Sequence, residues 1–266
     1  SGVVRNAREQ ALVLRVENLF PGHQRGIYKT FTQGLDLLKY SNLRMFVHLH
    51  GRLGDGTPLE ALAQQDPEAA RQKVRLFIRL GSNASGDYYE YEQPLMPSSV
   101  TSGNSDELWQ TYQRWGDRVI DLNSVNILLG ALNELKIARD AAGFPADSVF
   151  WNEIDGRPTA PGVPDADEFA PPGTRLAVKG NPSLGRITMI IIGVRNPAPP
   201  GSADPRDRLE EVVVWLNELR VSGYDEKNGY AAVANVNLKL ADLGRVRANF
   251  RMQTDGFGSL SSTLGE

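Results

Sequence analysis

The sequence predicts a mainly β fold: a jelly-roll-like antiparallel sandwich with a helical insertion, followed by an amphipathic β-hairpin. Three observations point there. Apolar residues gather in short runs separated by Gly, Pro and Asn, the pattern of strands joined by turns. One long stretch, 124–142, has helical spacing. The C-terminal part ends in two runs of about ten residues in which apolar and polar side chains alternate.

The strands follow in order. Ala11 to Val16 is the first apolar run. In 43–50, Leu43, Met45, Val47 and Leu49 share one face, and 74–80 alternates likewise before a Gly-Ser-Asn turn. Tyr88-Tyr89-Glu90-Tyr91-Glu92 follows, and 187–194 (ITMIIIGV) is a near-continuous apolar run of strand length. In 210–221, Val212, Val214 and Leu216 fall on one face and Val213, Trp215, Leu219 and Val221 on the other. A strand apolar on both faces is expected to be covered on both.

For the helix, Leu128, Leu132 and Leu135 keep the spacing. Asn123 or Ser124 can cap its start, and Gly143 and Pro145 can end it. Trp109, Tyr112 and Trp115, at i, i+3 and i+6, suggest a shorter helix before it, so the insertion is placed near 105–142. Segments 155–172 and 196–205, rich in Pro, read as loops. The expected division is a sandwich over 1–223 and a hairpin over 224–266. In the hairpin, Ala234, Val236, Leu238 and Leu240 alternate with polar residues, as do Val246, Ala248, Phe250 and Met252. Each strand is long enough to cross an outer membrane at a tilt.

Composition excludes several functions. The net charge of −3 offers no basic stripe for nucleic acid. With no cysteine, the chain has no disulfide, thiolate nucleophile or Cys-ligated metal. Ser1-Gly2-Val3-Val4-Arg5 opens no apolar core of signal-peptide length, and the expectation is a mature or internal piece of a longer protein. No nucleophile elbow, zinc-protease motif or P-loop is present, so no catalysis is expected.

Four candidate sites stand beside simpler readings. His48 and His50 share a strand face but have only His23 as a further histidine, so ring packing is the better reading than a metal. Tyr88, Tyr89 and Tyr91 form a candidate ligand or cargo face: exposed aromatics on a strand stack on sugars, though cross-strand packing uses the same residues. Asp225-Glu226-Lys227-Asn228-Gly229 carries part of a calcium-loop pattern without its distal Glu. It reads more simply as a turn, and a structural calcium ion is the sole cofactor entertained. In Asn217-Glu218-Leu219-Arg220, polar residues interrupt an apolar strand just before a turn.

Five blocks, in order, resemble the SprA/Sov family. They are Met45-Phe-Val-His; Phe77-Ile-Arg-Leu-Gly-Ser with Tyr88-Tyr-Glu-Tyr-Glu-Gln-Pro-Leu; Lys179-Gly-Asn-Pro-Ser-Leu-Gly; Ile192-Gly-Val-Arg-Asn-Pro; and Trp215-Leu-Asn-Glu-Leu-Arg-Val. That family forms the outer-membrane translocon of the Bacteroidota type IX secretion system, linked to gliding motility. The resemblance implies an internal fragment of a large β-barrel at the outer membrane or cell surface of a Gram-negative bacterium. Its partners would be other segments of the same barrel, secreted cargo and accessory secretion subunits. The resemblance also implies that Val246, Ala248, Phe250 and Met252 face lipid while Arg245, Arg247 and Arg251 face the lumen. Asn181, Pro182, Gly185, Gly193, Arg195, Asn196, Asn217, Glu218 and Arg220 would be structural motif residues, with 217–220 at the seam between sandwich and barrel. The alternative is a carbohydrate-binding module, since the 215–220 segment is also similar to the closing strand of galactose-binding-like jelly rolls. The extra hairpin separates the two: a self-contained sugar module does not need it.

Overall fold

A computed structural model describes residues 11–98, 109, 111–115, 118–154, 170–224, 231–240, 244–253, 258–259 and 262–263; for 113–115, 118 and 231 onward it describes the backbone alone. The chain divides into two compact units, Ser1–Gly223 and Tyr224–Glu266.

The first unit is a sandwich of two sheets. One sheet has the order β1 (Leu12–Leu19), β12 (Leu209–Tyr224), β3 (Tyr40–Leu53) and β8 (Val125–Leu128). The other has the order β2 (Gln24–Leu35), β11 (Ile187–Arg195), β4 (Arg75–Gly81), β5 (Tyr88–Pro94), β10 (Arg175–Lys179) and β9 (Phe150–Glu153). With the β9–β10 pair set aside, the remaining eight strands nest: β1 with β12, β2 with β11, β3 with β8, and β4 with β5, all antiparallel. Successive pairs in the nest lie in alternate sheets, which gives two four-stranded layers; this is a jelly roll. The β9–β10 pair extends one layer at its β5 edge.

Period-two alternation builds the core. Leu43, Met45, Val47 and Leu49 of β3 are all buried, as are Leu76, Ile78 and Leu80 of β4 and Val212, Val214 and Leu216 of β12, in one apolar cluster. At such sites a truncation to Ala costs about 2–5 kcal/mol, because transfer and cavity terms add. Val213, on the opposite face of β12, is also buried, as its apolar character predicts.

The insertion departs from expectation. The helix covers only α3 (Leu129–Ala141), while Val125–Leu128 is strand, paired with Asn42–Met45. Val125 and Ile127 are β-branched and alternate inward, so an open sheet edge claims them. The helix therefore starts at Leu128 without a side-chain cap, and neither Asn123 nor Ser124 serves. Its end is as predicted: Gly143 takes φ +64°, Gly143 N donates to Asp140 O and Phe144 N to Arg139 O, a Schellman motif. The helix expected at 109–115 is instead, over Tyr112–Trp115, strand β6, paired with β7 (Arg118–Asp121). Two short helices that periodicity did not reveal, α1 (Leu59–Gln65) and α2 (Pro67–Arg71), follow β3.

In the second unit, β13 (Ala231–Leu240) and β14 (Gly244–Gln253) form an antiparallel hairpin. Its register sets Val246 against Leu238, Ala248 against Val236, Phe250 against Ala234 and Met252 against Ala232. A two-residue pair, β15 (Gly258–Ser259) with β16 (Ser262–Thr263), follows.

Candidate functional site

The aromatic group on β5 is not an exposed platform. Tyr89 and Tyr91 face the core and are each 1% exposed. Tyr89 donates its hydroxyl proton to Asn133 Oδ1 at 3.1 Å and to Pro182 O at 3.2 Å, and Tyr91 donates to Gln93 Oε1. Burial pushes the Tyr89 phenol up to about 12 and raises Tyr91 as well. Tyr88 lies on the outer face but is buried beneath the Arg79 guanidinium, 4.5 Å from its ring centre. The stacking surface expected from these three tyrosines is corrected accordingly. Alternation identified which two share a face, but the apolar partners that cover that face come from distant strands.

The outer face of the six-stranded sheet instead holds an ion network. Glu90 and Glu92 of β5 point outward yet are essentially unexposed, because arginines from three neighbouring strands close over them. Glu92 meets Arg75 of β4, Arg175 of β10 at 2.7 Å, and Arg195 of β11. Glu90 meets Arg79 of β4 at 2.5 Å and Arg195 at 2.9 Å. Arg195 thus bridges both carboxylates and also donates from Nη2 to Gln24 Oε1 of β2 at 2.7 Å, joining three strands. The guanidinium groups of Arg79 and Arg195 sit 5.3 and 5.4 Å from the Phe77 ring centre. Gly193 makes that packing fit: a Cβ there would lie 2.6 Å from the Phe77 ring and 2.3 Å from Arg25 O. Four arginines on two carboxylates lock the layer laterally. Deleting Glu92 takes the carboxylate from Arg75 and Arg175, and deleting Glu90 takes it from Arg79, at a cost of about 3–5 kcal/mol for the more heavily paired Glu92.

The other motif residues act as braces. Asn196, buried just after β11, donates to Leu19 O at 3.0 Å and Asp207 O at 2.7 Å, and accepts from Ala198 N at 3.0 Å. It ties the end of β1 to the Pro-rich connection and to the turn before β12. Asn181 N donates to Asp87 Oδ1 at 2.6 Å, and Pro182 O accepts from Lys136 Nζ at 3.1 Å in addition to Tyr89. A Cβ on Gly185 would lie 3.0 Å from Leu38 Cδ1, so Gly admits the close approach.

On β12, Asn217 is buried, Glu218 adopts φ +52° and is exposed, and Arg220 Nη1 donates to Glu218 Oε2 at 2.9 Å while lying 5.6 Å from the Phe46 ring centre. The strand continues past them: Gly223 O accepts from Ser41 Oγ of β3 at 3.0 Å. The division between units follows Gly223, so this cluster belongs to the rim of the sandwich.

His48 and His50 lie on the outer face of the four-stranded sheet with rings 5.5 Å apart, packed on Trp215 at 4.8 and 5.4 Å. Burial holds His50 below its ordinary value, partly offset by Glu60 and Glu211. Among the described residues, no group of three His, Cys, Asp or Glu is placed to hold a metal ion. Segment 225–229 and the side chains of Val246, Ala248, Phe250 and Met252 lie outside what is described.

A jelly-roll domain whose polar residues serve as braces, joined to a separate hairpin, defines a β-rich structural class. The chain belongs to the SprA_N family, described as motility related/secretion protein, whose profile matches residues 2–266. Membership points to the cell envelope. No curated protein matches the chain.

Proposed function

We propose that this chain is a structural segment of an outer-membrane protein-export channel, the type IX secretion translocon that also serves gliding motility. The sandwich shapes the channel or contacts secreted cargo and accessory subunits, and the hairpin pairs with other segments of the same barrel. The segment carries out no reaction of its own and needs no cofactor or nucleic acid. Family membership supports a role in secretion or motility. The observation that carries the finer reading is the hairpin register, in which the apolar residues of β14 are Cα partners of the apolar residues of β13 over strands ten residues long. A lone two-stranded hairpin is marginal in water, so this one needs further strands, and a barrel wall supplies them. The sugar-module alternative loses its platform with the burial of Tyr89 and Tyr91, and no observation favours it.

Because the chain lacks cysteine, single cysteines can be placed at each position of 244–253 and labelled with an environment-sensitive fluorophore in lipid nanodiscs. The expected result is apolar emission at 246, 248, 250 and 252, alternating with aqueous emission at 245, 247 and 251. Uniform aqueous emission along the strand overturns the barrel assignment.

A further inference from the structure

The six-stranded sheet has a long edge at β2. Among the described residues this strand pairs only with β11, and the register fixes which face each side chain occupies. Arg25, Ile27 and Lys29 lie opposite Val194, Ile192 and Ile190, all members of the apolar core, so this row turns toward the interior of the sandwich. Gln24, Gly26, Tyr28 and Thr30 form the row on the outer face, opposite Arg195, Gly193, Ile191 and Met189.

The inner row is left open. Ile27 is 37% exposed, and Arg25 and Lys29 are exposed on either side of it. The strand carries these two cations and no carboxylate. Arg25 Nη1 donates to Gln24 O, and among the described residues no carboxylate pairs with Arg25 or Lys29. On the outer face of the same sheet, by contrast, Arg75, Arg79, Arg175 and Arg195 each meet Glu90 or Glu92. The free backbone groups of β2 follow from the ladder. Asn196 N donates to His23 O at 2.9 Å, and bonded positions of an antiparallel pair recur at every second residue, so Arg25, Ile27 and Lys29 turn their backbone groups to β11. Gly26, Tyr28 and Thr30 therefore present their N–H and C=O groups along the open edge, where an added strand would bond.

We propose that the β2 edge docks an extended segment of another polypeptide as a seventh strand, one whose core-side row reads acidic, apolar, acidic. The inner row of β2 selects this occupant, because Arg25, Ile27 and Lys29 share one face. A strand beside them sets a carboxylate against each cation and an apolar side chain against Ile27. In antiparallel pairing these are the non-hydrogen-bonded positions, where cross-strand side chains approach most closely. A wholly apolar strand would cover both cations without partners. A second β2 brings cations and no carboxylate in any register, so like charge opposes self-pairing. The proposal does not rest on the barrel reading, since it concerns the sandwich alone.

The test uses the whole chain and a capped peptide, Thr-Glu-Thr-Val-Thr-Glu-Thr, with a counterpart in which lysine replaces both glutamates. The pattern reads the same in both directions, so the result does not depend on strand polarity. Binding is read by a fluorescent label on the peptide and by hydrogen exchange at the Gly26, Tyr28 and Thr30 amides. The glutamate peptide is expected to bind the parent chain and to slow exchange at those amides, and the lysine peptide to do neither. Tyr28→Pro removes an outward donor at a position an edge tolerates, and is expected to weaken binding about tenfold. Tyr28→Val keeps the donor and is expected to bind within about threefold of the parent. Arg25→Glu combined with Lys29→Glu is expected to weaken the glutamate peptide about tenfold and to favour the lysine peptide. The proposal is overturned if neither peptide slows exchange at millimolar concentration, since the two cations then only guard a bare edge. It is overturned as well if the lysine peptide binds the parent as tightly as the glutamate peptide, or if Tyr28→Pro leaves affinity unchanged. A dimer in sedimentation that Tyr28→Pro dissolves also overturns it, because the occupant is then a second copy.

Discussion

The sandwich and the hairpin are written in the same alternating pattern, yet their structures use it differently. In the sandwich, each inward row meets a row from the facing sheet, and Val47, Leu76 and Val214 lose all contact with water. In the hairpin, Val246, Ala248, Phe250 and Met252 match apolar partners in register, but β13 and β14 pair only with each other among the described residues. Period two therefore states which residues share a face. It does not state what covers that face, and the answer can be a second sheet, lipid or further strands.

The largest predicted effect breaks the sandwich and leaves the hairpin out of account. Glu92→Ala removes the carboxylate partner of Arg75 and Arg175, leaves Arg195 only Glu90, and is expected to destabilise the first unit by about 3–5 kcal/mol, read by urea unfolding. A loss below about 1 kcal/mol would show that water neutralises the network instead. Leu76→Ala, on the opposite face of the same sheet, is expected to cost about 2–5 kcal/mol through its cavity. The pair compares ionic and apolar contributions on the two sides of one layer.

A smaller effect appears with pH. Tyr89, raised to about 12 against 10 for an ordinary tyrosine, favours the folded state fully below pH 10. That advantage is lost as pH rises from 10 toward 12, because the unfolded chain ionises first. Tyr89→Phe removes this phenol and is expected to flatten the alkaline slope in that window, although it also removes the hydrogen bonds to Asn133 and Pro182. An unchanged slope would place the titration elsewhere. His50 works at the other end: its lowered value means that stability present above about pH 6.5 falls as acid protonates the unfolded chain, and His50→Gln should reduce that slope.

The smallest effect is the most informative about the two units. Ending the chain at Gly223 is expected to leave the thermal melt of the sandwich unchanged and to improve solubility without detergent. A collapsed melt would show instead that the hairpin completes the core.

Much of the sandwich was legible because its signals are local. The alternation of β3 and β4, the continuous apolar run of β11, and the Gly143 helix end each depend on neighbours within a few residues. The motif blocks include Gly193, which clears space for Phe77, and Asn196, which ties three segments together. The reading of 124–142 as one helix failed because Val125 to Leu128 fits either period, and an edge on β3, some eighty residues earlier in sequence, decided it. The tyrosine platform failed for the same reason, since exposure depends on which layer lies opposite.

The sequence by itself determined the β class, the faces of the long strands, the family, and the amphipathic register available to the hairpin. Only the tertiary structure decided the nesting of eight strands into a jelly roll, the convergence of Arg75, Arg79, Arg175 and Arg195 on Glu90 and Glu92, and the open edge of β2. The physical reason is range. Backbone conformation and side-chain alternation are set by adjacent residues, whereas burial, ion pairing and open edges are set by strands that meet only after the chain has folded.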